Sequence, residues 1–594
     1  MTKLVIIMSM RNVEIIDTNY QVHADLLKKA SCADRIADMR PGLFSKNIKE
    51  NGMKSAYDDS AALHLPDRIR NDALAFRNTV EAYLRNEMTE KEFHSHHVGM
   101  GIYEHREKGR FMVRVRIGAG IVLSGQLIRI AELSHQYGSG ILHVTTRQDI
   151  QIHGVTAPHL ADVVERLLEV GLASRGGGGN TVRNITACFG AGLCTDELFD
   201  VSPYAVAVAE YLLQNERSFM LPRKFKIAFS GCEKDCALAS VADTGFFARI
   251  QDGKHGFTVY AGGGLGVNPR VGICIEEFVP AENVFAVAEA VRRLFDKYGN
   301  RANRNRARLR YVLADAGEEA FRELYRQERE ILREQGLPGE IPAIRKKIPH
   351  VPNGRAIPVP LVLGHITADA LTVVAETALR FGTGEVRTTQ LQDLLIPNIP
   401  EEVVPRVLGL LSDAGLGKGA NGHPKIVACT GASTCRLGIC RSRDLAQAIG
   451  DHFHACGIVV DNASSPVVRI SGCPNSCAAH QIAEVGLQGS GRRINGILVP
   501  HYTVYVGGSL SGQGARLGEK VATVPARRIP ELLADCLANG KIDPVKLRMR
   551  APHYEEPPAD LPETYWRDFG SENAFTLPGR AHSTAPAEHE RASK

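Results

Sequence analysis

The chain repeats itself, and the repeat is written in cysteine. Cys188 and Cys194 are followed by Cys232 and Cys236, and later Cys429 and Cys435 are followed by Cys473 and Cys477. Each member of the first set recurs 241 positions on, 188 to 429 and 236 to 477 alike. Ser-Gly-Cys at 230–232 returns at 471–473, Val-Ala-Asp-Thr-Gly at 241–245 returns as Ile-Ala-Glu-Val-Gly at 482–486, and Thr-Val-Tyr-Ala-Gly-Gly at 258–263 returns as Thr-Val-Tyr-Val-Gly-Gly at 503–508. Eight cysteines at one offset mark a duplication, and the two halves are expected to fold alike.

Upstream of each set lies a helix-to-strand unit. Leu127, Ile130, Ala131 and Ser134 share one helical face, and Gly138 stands where that helix should stop. The counterparts are Leu371, Val374, Ala375 and Ala378, with Gly382 as the stop. Strand-like segments follow at 141–146 and 385–389, and a second amphipathic helix is predicted through Leu160, Val163, Val164, Leu167 and Leu168. Elements in that alternation predict an α+β fold of split βαβ units. Residues 1–95 read as an extension, helical in part at 77–85. The basic, Pro-rich run at 335–360 reads as a linker, and the tail from about Pro578 as disordered.

Bulk properties exclude several functions. A length of 594 residues exceeds what one core serves. A net charge of +5 gives no warrant for nucleic-acid or membrane binding. The apolar run Leu4 to Met8 is too short for a signal peptide, and no stretch could span a bilayer. A cytoplasmic location is expected, where 13 cysteines suit metal or redox chemistry better than disulfides.

The spacing narrows the metal. A cubane iron–sulfur cluster needs four thiolates converging from loops, as two close pairs separated by a longer stretch can supply. Zinc sites favour two to four residues between paired cysteines, and five lie between Cys429 and Cys435. Gly472, Pro474 and Asn475 keep the loop around the second pair open and turned.

With these motifs assembled, the chain from about residue 96 to 556 resembles the siroheme-dependent sulfite and nitrite reductases. The resemblance is carried by Gly-Cys-Pro-Asn-Ser-Cys (472–477), Leu-Pro-Arg-Lys-Phe-Lys (221–226), Arg-Val-Arg (114–116), Thr-Thr-Arg-Gln-Asp-Ile-Gln (145–151) and Arg-Asn (183–184). It implies a pseudo-twofold duplicated fold with two ferredoxin-like half-domains (96–180 and, with the linker, 336–420) and two siroheme/cluster domains (181–335 and 421–556), before a tail at 557–594. It also implies a [4Fe–4S] cluster on Cys429, Cys435, Cys473 and Cys477, the last being the axial ligand of the siroheme iron, with Asn475 close to the macrocycle.

By the same resemblance, Arg114, Arg183, Lys224 and Lys226 line the distal face of siroheme and bind the substrate anion. Arg116, Thr145, Arg147, Gln151 and the run Arg304, Arg308 and Arg310 hold siroheme carboxylates. Preorganised cations would stabilise charge on the substrate oxygens, and crowded lysines would have lowered pKa values and give up protons readily. One departure stands out: His143 occupies a place where an Arg grip is expected, and its charge would vary near neutral pH.

The repeat also separates the halves. Lys224 and Lys226 become Ser465 and Val467 in the second half, and Arg147 and Gln151 become Leu391 and Leu395. The first half's cage is therefore expected to face the second half's cluster. Cys188, Cys194, Cys232 and Cys236 admit three readings: a second cluster, a cluster with a silent second siroheme, or a metal-free relic. Cys32, Cys274, Cys440, Cys456 and Cys536 read as core or surface thiols.

The expected activity is the six-electron reduction of sulfite to sulfide, because nitrite reductases resembling this segment carry Asn at the place of Lys226. Reduction of nitrite to ammonia is the alternative, and a non-catalytic iron–sulfur electron-transfer protein is the alternative of another class. No flavin or nicotinamide domain is evident, and Gly262–Gly266 lacks the following helix a nucleotide site needs. Electrons are therefore expected from a separate ferredoxin or flavoprotein.

Overall fold

Both helix-to-strand units form where periodicity places them. The helix Ser124–Tyr137 buries Leu127, Ile130, Ala131 and Ser134, and the helix Ala368–Phe381 buries Leu371, Val374, Ala375 and Ala378. Gly138 and Gly382 stop them, each N–H returning to the carbonyl four residues back at 3.1 and 3.0 Å. The strands Ile141–Val144 and Glu385–Thr388 follow, and the helix Leu160–Leu168 buries its whole predicted face. The computed structural model describes residues 64–344, 354–417, 424–462, 467–512 and 514–578.

The two half-domains do not stand apart, because each lends a strand to the other. One antiparallel sheet runs in the order Ile102–Glu104, Arg110–Val115, Ile150–Thr156, Ile141–Val144 and then His365–Thr367 from the second half. The other runs Arg355–Val359, Leu394–Ile399, Glu385–Thr388 and then Ile121–Leu123 from the first half. Ile366 faces Leu142 in one exchange, and Val122 faces Val386 in the other. A single apolar core follows, from Ile69 through Val115, Leu127 and Leu167 to Leu371, Val386 and Leu411.

Each cofactor domain adds a five-stranded sheet of the same design. In the first, Thr186–Ala187, Ile227–Ser230 and Thr244–Gln251 run parallel, and Lys254–Ala261 and Ile273–Pro280 continue antiparallel. In the second, Ile426–Ala428, Val468–Ser471 and Val485–Ile494 run parallel, followed by Ile497–Val506 and Glu519–Pro525. Cys188, Cys232, Cys429 and Cys473 lie just beyond the carboxyl ends of parallel strands, where α/β sheets open towards ligands.

Three boundaries differ from the sequence reading. The helix Asp67–Leu84 is no free extension: Ile69, Ala73, Phe76 and Val80 enter the shared core, and Arg77 pairs with Asp162 and Glu165. The end of the expected linker is the strand Arg355–Val359, since alternate residues Ile357 and Val359 are buried. The first part of the expected tail packs on the second cofactor domain, where Phe575 is buried and Asp568 accepts the N–H of Arg441 at 2.7 Å. Residues 1–63, 345–353 and 579–594, with Cys32 and Ser465, lie outside the described residues.

Candidate active site

The second cysteine set is brought together by its two strand-end loops. Cys429, Cys435 and Cys473 all lie within electrostatic reach of Cys477. The Gly472 N–H donates to Cys429 Sγ at 3.2 Å. Burial, then the neighbouring Cys477, pushes Cys435 up to about 11 and Cys473 up to about 12, so the thiols need a metal to lose their protons. Cys477 is exposed, whereas its three companions are buried or half-buried. Its carbonyl accepts the Thr146 hydroxyl of the first half at 2.7 Å.

Among the described residues, no three His, Cys, Asp or Glu side chains gather closely enough to hold one metal ion. Thiolates around a single zinc would each stand about 2.3 Å from it. A cube of iron and sulfide holds its four ligands farther apart than a single metal ion does.

Opposite Cys477 stands the first half's cage. The strand Arg110–Val115 carries Arg114, the loop after Ile141–Val144 carries Arg147, and the segment entering Ile227–Ser230 carries Lys224 and Lys226. Lys224 lies within reach of Cys477, Arg308 and Arg183, and Lys226 within reach of Arg147, Lys224 and Arg308. Burial first and the neighbouring cations second push Lys224 down to about 7 and Lys226 well below its ordinary value, although Cys477 and Asp243 pull the other way. Neither amine hydrogen-bonds or ion-pairs with a described residue, and both side chains keep some exposure.

Backbone carbonyls hold the cage in place. Arg183 donates to Gly177 O at 3.1 Å and Gly179 O at 3.0 Å, and Arg147 donates to Asn184 O. Thr145 accepts the N–H of Arg147 at 3.3 Å and of Asp149 at 3.1 Å, shaping the turn that presents Arg147. Gln151 accepts from His153 at 3.1 Å. Arg310 donates to Leu265 O and Val267 O, fixing the glycine loop, and Gly266 and Gln481 of the second half exchange two hydrogen bonds of 2.9 Å. That loop leads into the strand Ile273–Pro280 rather than a helix, and Gly266 lies beside Pro474 and Asn475. Arg304 is exposed on the rim.

Two expectations fail. Arg116 is buried and its guanidinium donates to the carbonyls of Arg175, Val182 and Arg183, so it braces the segment bearing Arg183 instead of facing a cofactor. His143 is not a variable cation: burial holds it well below its ordinary pKa, and its Nε2 lies 3.2 Å from the Gln392 amide. Its counterpart Arg387 is also buried, paired with Glu385 and donating to Ala191 O at 2.6 Å.

Two carboxylates escaped the sequence reading. Asp149 pairs with Arg114 at 3.1 Å, and the fully buried Asp243 pairs with Arg308 at 2.9 Å while accepting the Lys226 N–H. Asp243 sits in the repeated Val-Ala-Asp-Thr-Gly segment, with Glu484 as its partner in the second half, and that repeat was the available signal.

Two family models match this chain. One, the nitrite and sulphite reductase 4Fe-4S domain, covers residues 178–331; the other, the nitrite/sulfite reductase ferredoxin-like half domain, covers 103–170 and 350–414. A ferredoxin–nitrite reductase of Synechococcus elongatus is 32% identical over 72% of this chain and 86% of its own. The chain belongs to the nitrite and sulfite reductase family. Sulfite reductase [ferredoxin] 1 of Mycolicibacterium paratuberculosis is 29% identical over 71% of this chain and 81% of its own. The solved NirA protein of Mycobacterium tuberculosis superposes with a TM-score of 0.67 at 25% identity, covering 77% of this chain and 90% of that one.

Siroheme and a [4Fe–4S] cluster are the cofactors of this member of the family, and the residues present suit both. A cubane would find four thiols and an N–H···S donor. A carboxylate-rich macrocycle would find Arg114, Arg183 and Arg310, each with a buried Nε that has no partner, and the Ser476 hydroxyl beside Cys477, likewise unpartnered.

Proposed function

We propose that this chain reduces sulfite to sulfide in the hollow between the first half's cations and Cys477. The observation that carries the reading is the pair of lysines, Lys224 and Lys226, both half-buried and without a partner among the described residues, in one cage with Arg114, Arg183 and Arg147. Guanidinium groups beside two amines that a bound anion would help to keep protonated suit a dianion better than a monovalent one, since attraction grows with ligand charge.

Cys429, Cys435, Cys473 and Cys477 would hold the cluster, and Cys477, Arg147, Gln151, Arg308 and Asn475 would hold the siroheme. When bound, these cofactors supply electrons, one at a time, to the anion. Arg114 and Arg183 orient the anion's oxygens, and their fixed hydrogen bonds to Asp149, Gly177 and Gly179 mean that little reorganisation accompanies charge build-up. Lys224 Nζ, brought near neutrality, can give a proton to an oxygen departing as water. Arg116 keeps Arg183 in register through the carbonyls of Val182 and Arg183.

Ferredoxin is the favoured electron donor, because the Synechococcus and Mycolicibacterium relatives are both named for it. Nitrite remains the second reading, favoured by the Synechococcus relative, a nitrite reductase at 32% identity. Turnover of the purified holoprotein with reduced ferredoxin tests the choice. A higher kcat/KM for sulfite, with sulfide as product, upholds the proposal, and a higher value for nitrite replaces it with the second reading.

A further inference from the structure

The first cysteine set plays no part in the chemistry above, yet it is built to the same plan. The Gly231 N–H donates to Cys188 Sγ at 3.3 Å, as Gly472 does to Cys429 at 3.2 Å. Asp235 and Ser476 both adopt left-handed backbone, at φ 50° and 54°, as do Leu238 and Ala479, at 63° and 60°. Holding a non-glycine residue there costs roughly 1–3 kcal/mol. Both loops bear that cost twice at the same register, which points to one geometric demand met in both. Cys232 and Cys236 lie within electrostatic reach of Cys188, and Cys194 lies within reach of Cys236.

The surroundings differ on the side where a macrocycle would lie. Pro358, Leu391, Leu395 and Val467 hold the places of Arg114, Arg147, Gln151 and Lys226. Gln390, at the place of Thr146, donates to Ala187 O at 2.8 Å instead of reaching a cysteine carbonyl. The Gly512 N–H closes on Glu233 O at 2.9 Å, and a Cβ at Gly512 would stand 2.3 Å from the Glu233 carboxylate. A carboxylate-rich ring would meet an acid there and lose its cations.

We propose that Cys188, Cys194, Cys232 and Cys236 bind a second [4Fe–4S] cluster with no siroheme beside it. The proposal rests on the reading of the second set as a cluster site. Cys194 is exposed, and Asp196 of its loop pairs with Lys234 of the Cys232–Cys236 loop at the surface, so this cluster would lie near the surface, where electrons can enter.

The test is the count of iron, acid-labile sulfide, zinc and siroheme per chain in full-length protein purified without oxygen. About nine irons and eight sulfides with one siroheme are expected, from two cubanes and one macrocycle iron. The Cys232→Ser/Cys236→Ser variant should fall to about five irons and four sulfides with siroheme retained and one reduced-cluster EPR signal lost. Should that variant not fold, Cys194→Ser at the exposed position should show the same fall. Wild-type protein with about four sulfides, or with one zinc in place of the missing irons, overturns the proposal. Two sirohemes per chain overturn its second clause. Absence of siroheme sinks the functional reading instead, and the sulfide count still decides this one.

Discussion

The two halves of this molecule have the same sheets, the same cysteine loops and opposite pockets. In the first half, Lys224 and Lys226 lead into the strand Ile227–Ser230, and Arg147 follows Ile141–Val144. In the second, Val467 and Leu391 occupy those places. The difference teaches that scaffold and chemistry are retained separately. The cysteines come with the loop, and the loop comes with the parallel strands, but the cage consists of side chains that the sheet does not need. One complete site would therefore use the cations of one half and the thiols of the other, across the junction where the Thr146 hydroxyl bonds to Cys477 O.

The sharpest break in this comparison should come from exchanging equivalent cysteines. Cys477→Ser is expected to lose siroheme absorbance and to lower turnover at least about 1000-fold, roughly 4 kcal/mol in barrier. Cys236→Ser should keep its siroheme, and equal loss in both variants would mean that the halves are not distinct. Next comes the buried pair at 385 and 387. Arg387→Leu leaves Glu385 buried without a partner and should destabilise the protein by about 3–5 kcal/mol. His143→Leu, at the equivalent place, should cost only about 1 kcal/mol, because a neutral ring loses one hydrogen bond. Denaturant unfolding of both variants measures the contrast.

Smaller effects sharpen the picture. Lys226→Asn should lower kcat/KM for sulfite about 10–100-fold, some 1.4–2.7 kcal/mol, while nitrite turnover changes little. An unchanged ratio of the two would remove the argument from the second lysine. The smallest effect concerns His97, which burial holds at about 4 against an ordinary 6.5. Its unfolded form takes up a proton between those values, so its contribution is complete above pH 6.5 and is lost as pH falls towards 4. Thermal midpoints at pH 7.5 and 5 should differ more in wild type than in His97→Gln, by roughly 1–3 kcal/mol of stability.

Much of this was legible in the chain. Helix faces such as Leu127–Ile130–Ala131–Ser134 are written at local spacing, and the cysteine offset located both cysteine loops. What escaped depends on contacts distant in sequence. Nothing near Ile121–Leu123 announces that it pairs with Glu385–Thr388, because pairing across such a gap leaves no periodic trace. Asp149 and Asp243 read as ordinary acids until Arg114 and Arg308 stand against them. Arg116 lies two residues from Arg114 and so shares its strand face by alternation, yet it ends beyond the strand and turns into the carbonyls of 175–183. Direction, unlike residue type, is set by the packed surroundings.

The exchange of strands has a bearing on how the polypeptide is made. Until Glu385–Thr388 has left the ribosome, Ile121–Leu123 has no neighbour to pair with, and Ile141–Val144 offers an open edge until His365–Thr367 arrives. The amino-terminal portion must therefore wait, with sticky sheet margins uncovered, until more than half of the chain has been made. A gene cut between the repeats would yield two fragments that each lack a strand held by the other, so ancestral fusion, once this swap had set in, became hard to reverse.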